Sequence, residues 1–288
     1  MAEITSNNSV YEDIVQLNCA QFNLGKRRMA NVQINEWLSK HQAGLALCQE
    51  PNQKKGKIML ISSEVTQFTG RPAPRVCILM SKQLSKHFLK VNQLCSNDQV
   101  VISSRYREKR LLIASIYMHY ESASHPEEKV EQLIDYCRNK NHELVIGCDA
   151  NSHNEAWGST NNNNRGEELL EFIIAEDLQI CNIGTAPTFT NVDRGEVIDI
   201  TLCKTNMFDT ITDWKVNTEN SMSDHNMIEF KINTQETYER EEYRNIKNTR
   251  WTEYTEKIEQ YIGEKELEEL EEVDELEEHI RVSKEGIP

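Results

Sequence analysis

The chain has 288 residues, of which 38% are hydrophobic and 27% charged. That balance supports a sizeable buried core and excludes a disordered chain, and no apolar run approaches the roughly 20 residues of a membrane helix. The net charge of −15 excludes a chain that holds nucleic acid by bulk positive charge, so such a role must rest on local patches or on a metal that inverts the field.

Residues 1–10 form a polar N-terminal tail without the apolar stretch of a secretory leader. From 11 to 234, short β-branched runs bounded by polar or Gly/Pro clusters predict strands at 13–18, 44–49, 75–80, 99–103, 111–117, 144–148, 178–182, 197–203, 210–216 and 227–232. Three helices fall between them. In 26–40, Ala30, Ile34, Trp37 and Leu38 share a face; in 126–139, Val130, Leu133, Ile134 and Cys137 do; in 166–176, Leu169, Leu170, Ile173 and Ile174 do. Short turns at 104–110 and 191–196 favour antiparallel neighbours, which predicts an α+β sandwich with helices outside. Past residue 235 there are 18 acidic and 8 basic residues, with apolar positions at helical spacing. This segment, 235–288, reads as an acidic helical linker or tail, or as a docking helix. The eight cysteines show no CxxC and no zinc-like spacing, and read as reduced core thiols of an intracellular protein.

Five polar positions interrupt this pattern. Asn18 ends the first predicted strand, Glu50 follows GLALCQ, and Asp149 with Asn151 follows LVIGC. Asp199 sits inside VIDITL, and Ser223-Asp224-His225 precedes NMIEF. A carboxylate buried in a strand costs several kcal/mol unless a cation, metal or histidine stands beside it. Strand ends that converge on one rim would gather Asn, Asp, Glu and His. Hard oxygen donors beside one histidine suit Mg²⁺ and phosphate chemistry, with Mn²⁺ as a second option, and do not suit zinc.

The ordered segments QLNCAQ, LCQE, SIY, GCDANSHNEAWGS, NRGEELLEFI, PTFT, VIDITL and SDHNMIEF resemble the endonuclease/exonuclease/phosphatase superfamily. GCDANSHNEAWGS with RGEELLEFI and PTFT behind it most resembles the endonuclease domains of non-LTR retrotransposons. The likeness covers residues 11–234. It implies a four-layered α/β/β/α sandwich of two mostly antiparallel sheets and a Mg²⁺-dependent phosphodiesterase. It also implies roles: Glu50 as main metal ligand helped by Asn18, with Asp224 on the metal side. Asp149 would activate water and Asn151 steady it. His225, held by Asp199, would meet the phosphate, and Tyr117 would help at the phosphate or leaving group. A carboxylate base and a histidine paired with an acid are sound choices for phosphodiester hydrolysis.

Ala20 stands where many relatives carry a second polar residue, which argues against the apurinic-repair branch. Met118-His119-Tyr120 replaces a segment where relatives often have proline. Arg105, Arg107 and Arg110 lie at an expected hairpin tip and are candidate phosphate contacts. Asn191 and Arg194 lie in a turn that matches a DNA-probing hairpin of relatives. Trp157 is expected as a packing anchor, and the run 161–164 as a solvated loop. The expected activity is nicking of target DNA to prime reverse transcription in the nucleus. Its partners are DNA and a reverse transcriptase domain. The chain has no Y-x-D-D motif and ends at Pro288, and it reads as a fragment, a truncated copy or a stand-alone domain. The alternatives are another phosphoesterase of the superfamily (a phosphatase or apurinic-type nuclease), or an inactive nucleic-acid-binding remnant.

Overall fold

The computed structural model describes residues 16–41, 43–122, 125–218 and 221–234. The chain divides into Met1–Gln235 and Glu236–Pro288, and the described residues all belong to the first unit. The expected polar tail at 1–10 and acidic segment at 235–288 lie outside the described residues.

In chain order the elements are β1 (Gln16–Asn23), α1 (Arg28–Lys40), β2 (Gly44–Gln49), β3 (Gln53–Lys54), β4 (Lys57–Ile58), β5 (Val65–Thr69), β6 (Val76–Ser81), α2 (Lys82–Ser85) and β7 (Leu89–Lys90). Then come β8 (Gln99–Tyr106), β9 (Lys109–Tyr117), α3 (Glu128–Lys140), β10 (Glu143–Asp149), α4 (Asn164–Ala175) and β11 (Leu178–Ile180). The chain continues with β12 (Phe189–Thr190), β13 (Gly195–Glu196), β14 (Asp199–Lys204), β15 (Ile211–Asn217) and β16 (Met227–Asn233). The first large sheet runs β15-β16-β1-β2-β6-β5 and the second β11-β14-β10-β9-β8-β7. Each has one parallel pair at its centre, β1/β2 and β9/β10, flanked on both sides by antiparallel neighbours.

The side-chain period explains the layers. Strand β2, GLALCQ, is buried throughout. Leu45 and Leu47 join the core between the sheets, while Ala46 and Cys48 pack under α1 with Ile34, Trp37 and Leu38. A strand covered on both faces reads as a continuous apolar run. Val130, Leu133, Ile134 and Cys137 of α3 and Leu169 and Ile173 of α4 pack on the second sheet, which completes an α/β/β/α sandwich. Truncating a residue such as Leu133, fully buried, would cost about 2–5 kcal/mol. Helix α4 starts where Asn163 Oδ1 accepts from the Gly166 backbone N–H at 2.8 Å. Gly166 is required there, since a Cβ would lie 1.8 Å from the His153 carbonyl oxygen.

The crossovers set the site. Helix α1 returns the chain so that β1 and β2 run parallel, and α3 does the same for β9 and β10. Asn23 therefore lies level with Gln49, and Tyr117 with Asp149 and then Asp199. Near this end, buried polar side chains bridge the sheets. Gln21 Nε2 donates to the carbonyls of Cys148 and Ile200 at 3.1 and 3.2 Å. Gln49 Nε2 donates to the Gly147 carbonyl and Ser115 Oγ, both at 3.2 Å. Ser115 donates onward to the Cys48 carbonyl at 3.1 Å. Gly147 leaves room for this layer, because a Cβ would meet Leu47 at 2.7 Å and Gln21 Oε1 at 2.8 Å.

The first strand corrects the sequence-based reading. It was expected at 13–18 and runs Gln16–Asn23. Cys19, Ala20 and Phe22 are core residues, and Gln21 and Asn23 are buried with partners, so the polar letters do not end the strand. The half-buried β5 was not expected, since its Thr and Gln positions hide the pattern. The eight cysteines are buried and free, and Trp157 is buried in the core. Among the described residues, no helix is long and apolar enough to cross a membrane.

Candidate active site

Asp149 is the last residue of β10 and is buried. Its Oδ2 accepts from Asn23 Nδ2 at 2.7 Å, and its Oδ1 from the Asn151 backbone N–H at 3.1 Å. Burial, followed by the charge of Asp199, pushes its carboxyl up to about 7, against the opposing pull of His225 and Asn23. Asp199 opens β14 directly opposite. Its Oδ2 lies 2.8 Å from His225 Nδ1, and Thr188 Oγ1 accepts from its backbone N–H at 3.0 Å. Its Oδ1 is buried without a hydrogen-bond partner.

His225 comes from the other sheet, two residues before β16. Burial opposes its charge, but Asp199, then Asp149 and Glu50, outweigh that and raise the ring to about 9. The ring is therefore cationic at neutral pH. Phe189 meets it edge-on, with centroids 5.0 Å apart. One ligand atom from each of Asp149, Asp199 and His225 lies within 4.8 Å of the others.

Glu50 follows β2 at a positive φ of 44°. Its backbone N–H donates to the Arg75 carbonyl at 2.7 Å, and Lys26 Nζ sits 2.8 Å from its carboxylate. Tyr117 ends β9, with the Arg75 guanidinium 5.6 Å from its ring centroid. Burial, then the charges of Glu50 and Asp149, raise the phenol well above its usual range, so it keeps its proton. Asn151, at φ 46°, donates from Nδ2 to the Met118 carbonyl at 3.0 Å.

The structure brings Glu50, Tyr117, Asp149, Asn151, Asp199 and His225 to one rim. It does not bring Asn18. That residue lies level with Lys231 and Gly44, five positions from Asn23 along β1, roughly 16 Å at about 3.3 Å per residue. Asn23, rather than Asn18, stands against Asp149. Asp224 is at the rim, with its carboxylate paired to Arg27 Nη2 at 2.5 Å, as that of Glu50 is paired to Lys26. Arg105, Arg107 and Arg110 sit at the opposite end of the second sheet. Arg110 is seven positions from Tyr117 along β9, roughly 23 Å, and its guanidinium donates to Ser103 Oγ at 2.9 Å. Asn191 and Arg194 occupy the β12–β13 turn, which is tied to the site by Thr190 N–H donating to the Asp224 carbonyl at 2.7 Å. The Asn191 side chain accepts from the N–H groups of Asp193 and Arg194, both at 2.9 Å, and so closes its own turn.

Three further residues position the site. Ser223 Oγ donates to the Asn23 carbonyl at 2.7 Å and accepts from the His225 N–H at 3.3 Å. Thr188 fixes the entry to β14. Arg165 of α4 donates to the carbonyls of Asn151, Ser122 and His119 at 3.3, 3.1 and 3.1 Å, and lies 2.9 Å from His125 Nδ1. Ser223, Thr188 and Arg165 lie in the segments SDHNMIEF, PTFT and NRGEELLEFI, whereas Asn23 was missed; its local signal is that it is the last amide before the Gly25-Lys26 turn.

The family model described as endonuclease-reverse transcriptase matches residues 111–229. The endonuclease domain of TRAS1, a telomere-specific non-LTR retrotransposon, is similar at 27% identity and a TM-score of 0.63, over 76% of this chain and 99% of that one. The AP endonuclease LMAP from Leishmania major aligns at 9% identity and a TM-score of 0.60, over 76% and 88%. The APE2 catalytic domain from Xenopus laevis aligns at 14% and 0.55, over 76% and 92%. No curated protein matches the sequence.

The fold is the endonuclease/exonuclease/phosphatase sandwich, with a buried acid–histidine group at its rim, and the likeness to this superfamily supports a hydrolytic phosphodiesterase. Within that class it resembles the endonuclease domains of non-LTR retrotransposons.

Proposed function

We propose that the chain is a divalent-metal-dependent DNA endonuclease that nicks a target strand, leaving a 3′-hydroxyl from which a partner reverse transcriptase domain primes synthesis in the nucleus. The observation that carries this reading is the buried Asp149–Asp199–His225 constellation, with Asn23 bound to Asp149. The likeness to the TRAS1 domain supports the retrotransposon setting.

The donor set fits a hard cation. Carboxylates of Glu50 and Asp149 with the Asn23 amide would hold Mg²⁺, or Mn²⁺, and the unpartnered Asp199 Oδ1 is a buried acceptor beside them. When bound, the cation neutralises charge on the phosphoryl oxygens and the departing 3′-oxygen. The chain's own groups do the rest. Asp199 accepts from the His225 Nδ1–H and favours the imidazolium form, so that Nε2–H offers a positive donor to the phosphate. The Asp149 carboxylate is placed to take the proton of an attacking water. Asn23 and Asn151 fix the two Asp149 oxygens, the first by its amide and the second by its backbone. Tyr117 keeps its proton and donates a hydrogen bond to a phosphate or leaving oxygen.

Supercoiled plasmid incubated with the protein in Mg²⁺ should be nicked. EDTA should abolish nicking, and Asp149→Asn should lower it by about a thousandfold without unfolding the domain by circular dichroism. Nicking that is equal in wild type and Asp149→Asn would remove the proposal. Release of inorganic phosphate from DNA ends without nicking would move it to a phosphatase, and DNA binding unaffected by metal with no cleavage would make it a binding remnant.

A further inference from the structure

Tyr117 is not an isolated ring. His119 meets it edge-on with centroids 6.0 Å apart, and Tyr120 stacks on His119 at 4.9 Å with planes 21° apart. On the inner side, the Arg75 guanidinium covers the Tyr117 ring. The four groups make a ladder that starts beside Glu50 and Asp149 and climbs out of the site. Its inner ring is buried, and its last ring, Tyr120, is 60% exposed.

The ladder is held rather than loosely draped. The His119 backbone N–H donates to Glu127 Oε1 at 3.1 Å, and its carbonyl accepts from Arg165 Nη2 at 3.1 Å. The Glu121 N–H donates to His119 Nδ1 at 3.2 Å, which fixes the imidazole plane and leaves that nitrogen an acceptor. An open aromatic face in a fixed plane has little conformational entropy to lose on stacking. Such faces take any nucleobase, because every base has a π-face, whereas bases inside a paired duplex are stacked on their own neighbours.

Resting on the nuclease reading above, we propose that Tyr120 is a stacking platform for a nucleobase next to the scissile phosphate, so that DNA with an unpaired base beside the cut is the preferred substrate. The rings of Tyr117 and Tyr120 then divide the work: the inner one meets phosphate, the outer one a base.

The test uses the full chain in EDTA, where no cleavage occurs, and two oligonucleotide duplexes of one sequence, one fully paired and one with a single unpaired 2-aminopurine. Wild type should bind the unpaired probe about tenfold more tightly than the paired one, with quenching of the 2-aminopurine fluorescence. Tyr120→Ala should lose both the preference and the quenching, Tyr120→Phe and Tyr120→Trp should keep them, and Tyr120→Leu should not restore them. No preference in wild type, or a preference that survives in Tyr120→Ala, would overturn the proposal. Plasmid nicking by the wild type in Mg²⁺ is read in parallel. Nicking without the Tyr120 effect removes this inference alone, and no nicking at all removes the nuclease reading on which it rests.

Discussion

The two ends of the second sheet differ in a way that charge alone would misrank. At one end the β8–β9 tip gathers Arg105, Arg107, Lys109 and Arg110. At the other, β9 and β10 deliver Tyr117 and Asp149 beside Asp199, in a pocket that is acidic and buried. The basic end spends its charge locally: Lys109 pairs with Glu143 at 2.9 Å and Arg110 with Ser103. The acidic end spends hydrogen bonds on keeping carboxylates inside the protein, a cost of several kcal/mol that a purely structural site would avoid. Expensive burial, rather than abundant charge, marks the working end of this molecule.

The sharpest way to break that contrast is within β1. Asn23→Ala removes the donor on Asp149 and should lower nicking by about a hundredfold, while Asn18→Ala should change it by less than about twofold. Equal effects in a plasmid assay would mean that the strand end is not privileged.

A second measure concerns acid stability at the site end. Burial, then the nearby Arg165, lowers the His125 ring to about 4. The folded state therefore refuses a proton that the unfolded chain takes below about 6.5. No penalty exists above that pH. Stability is lost as pH falls from about 6.5 to 4, by about 3 kcal/mol. His125→Gln should flatten this part of a denaturation-against-pH curve, and an unchanged slope would assign the acid loss elsewhere.

The smallest effect is expected at the far end. Replacing Arg105, Arg107 and Arg110 together by serine should leave nicking within about threefold and its salt dependence unchanged. A tenfold loss would place the tip in the DNA footprint.

Much of this architecture is legible in the sequence, because strands buried on two faces are written as unbroken apolar runs. GLALCQ is predicted to the residue, and Val76–Ser81 and Met227–Asn233 within one. The acids at strand ends are legible for the complementary reason, as polar letters where apolar ones are due. The first strand is misplaced because Gln21 and Asn23 look like a loop until Cys148, Ile200 and Asp149 are seen to satisfy them. Those partners lie more than a hundred residues away. Arg165 hides in the same way: on a helix surface pattern it is one more exposed cation, and only the fold aims it at three loop carbonyls. The arginines of the β8–β9 tip lie at the other end of the sheet from the acids, a placement the sequence does not show, since nothing local says at which end of the sheet a turn will fall.

The order in which the chain enters the first sheet has a consequence for the cell that makes it. Its strands β1, β2, β5 and β6 come early, and the β15–β16 ribbon, with His225 just ahead of β16, is inserted last, against β1. A growing polypeptide thus displays its acids and amides long before its imidazole, and domains fold from the N-terminus as they are synthesised. The Asp149–Asp199–His225 group is assembled only when the closing ribbon pairs with the opening strand.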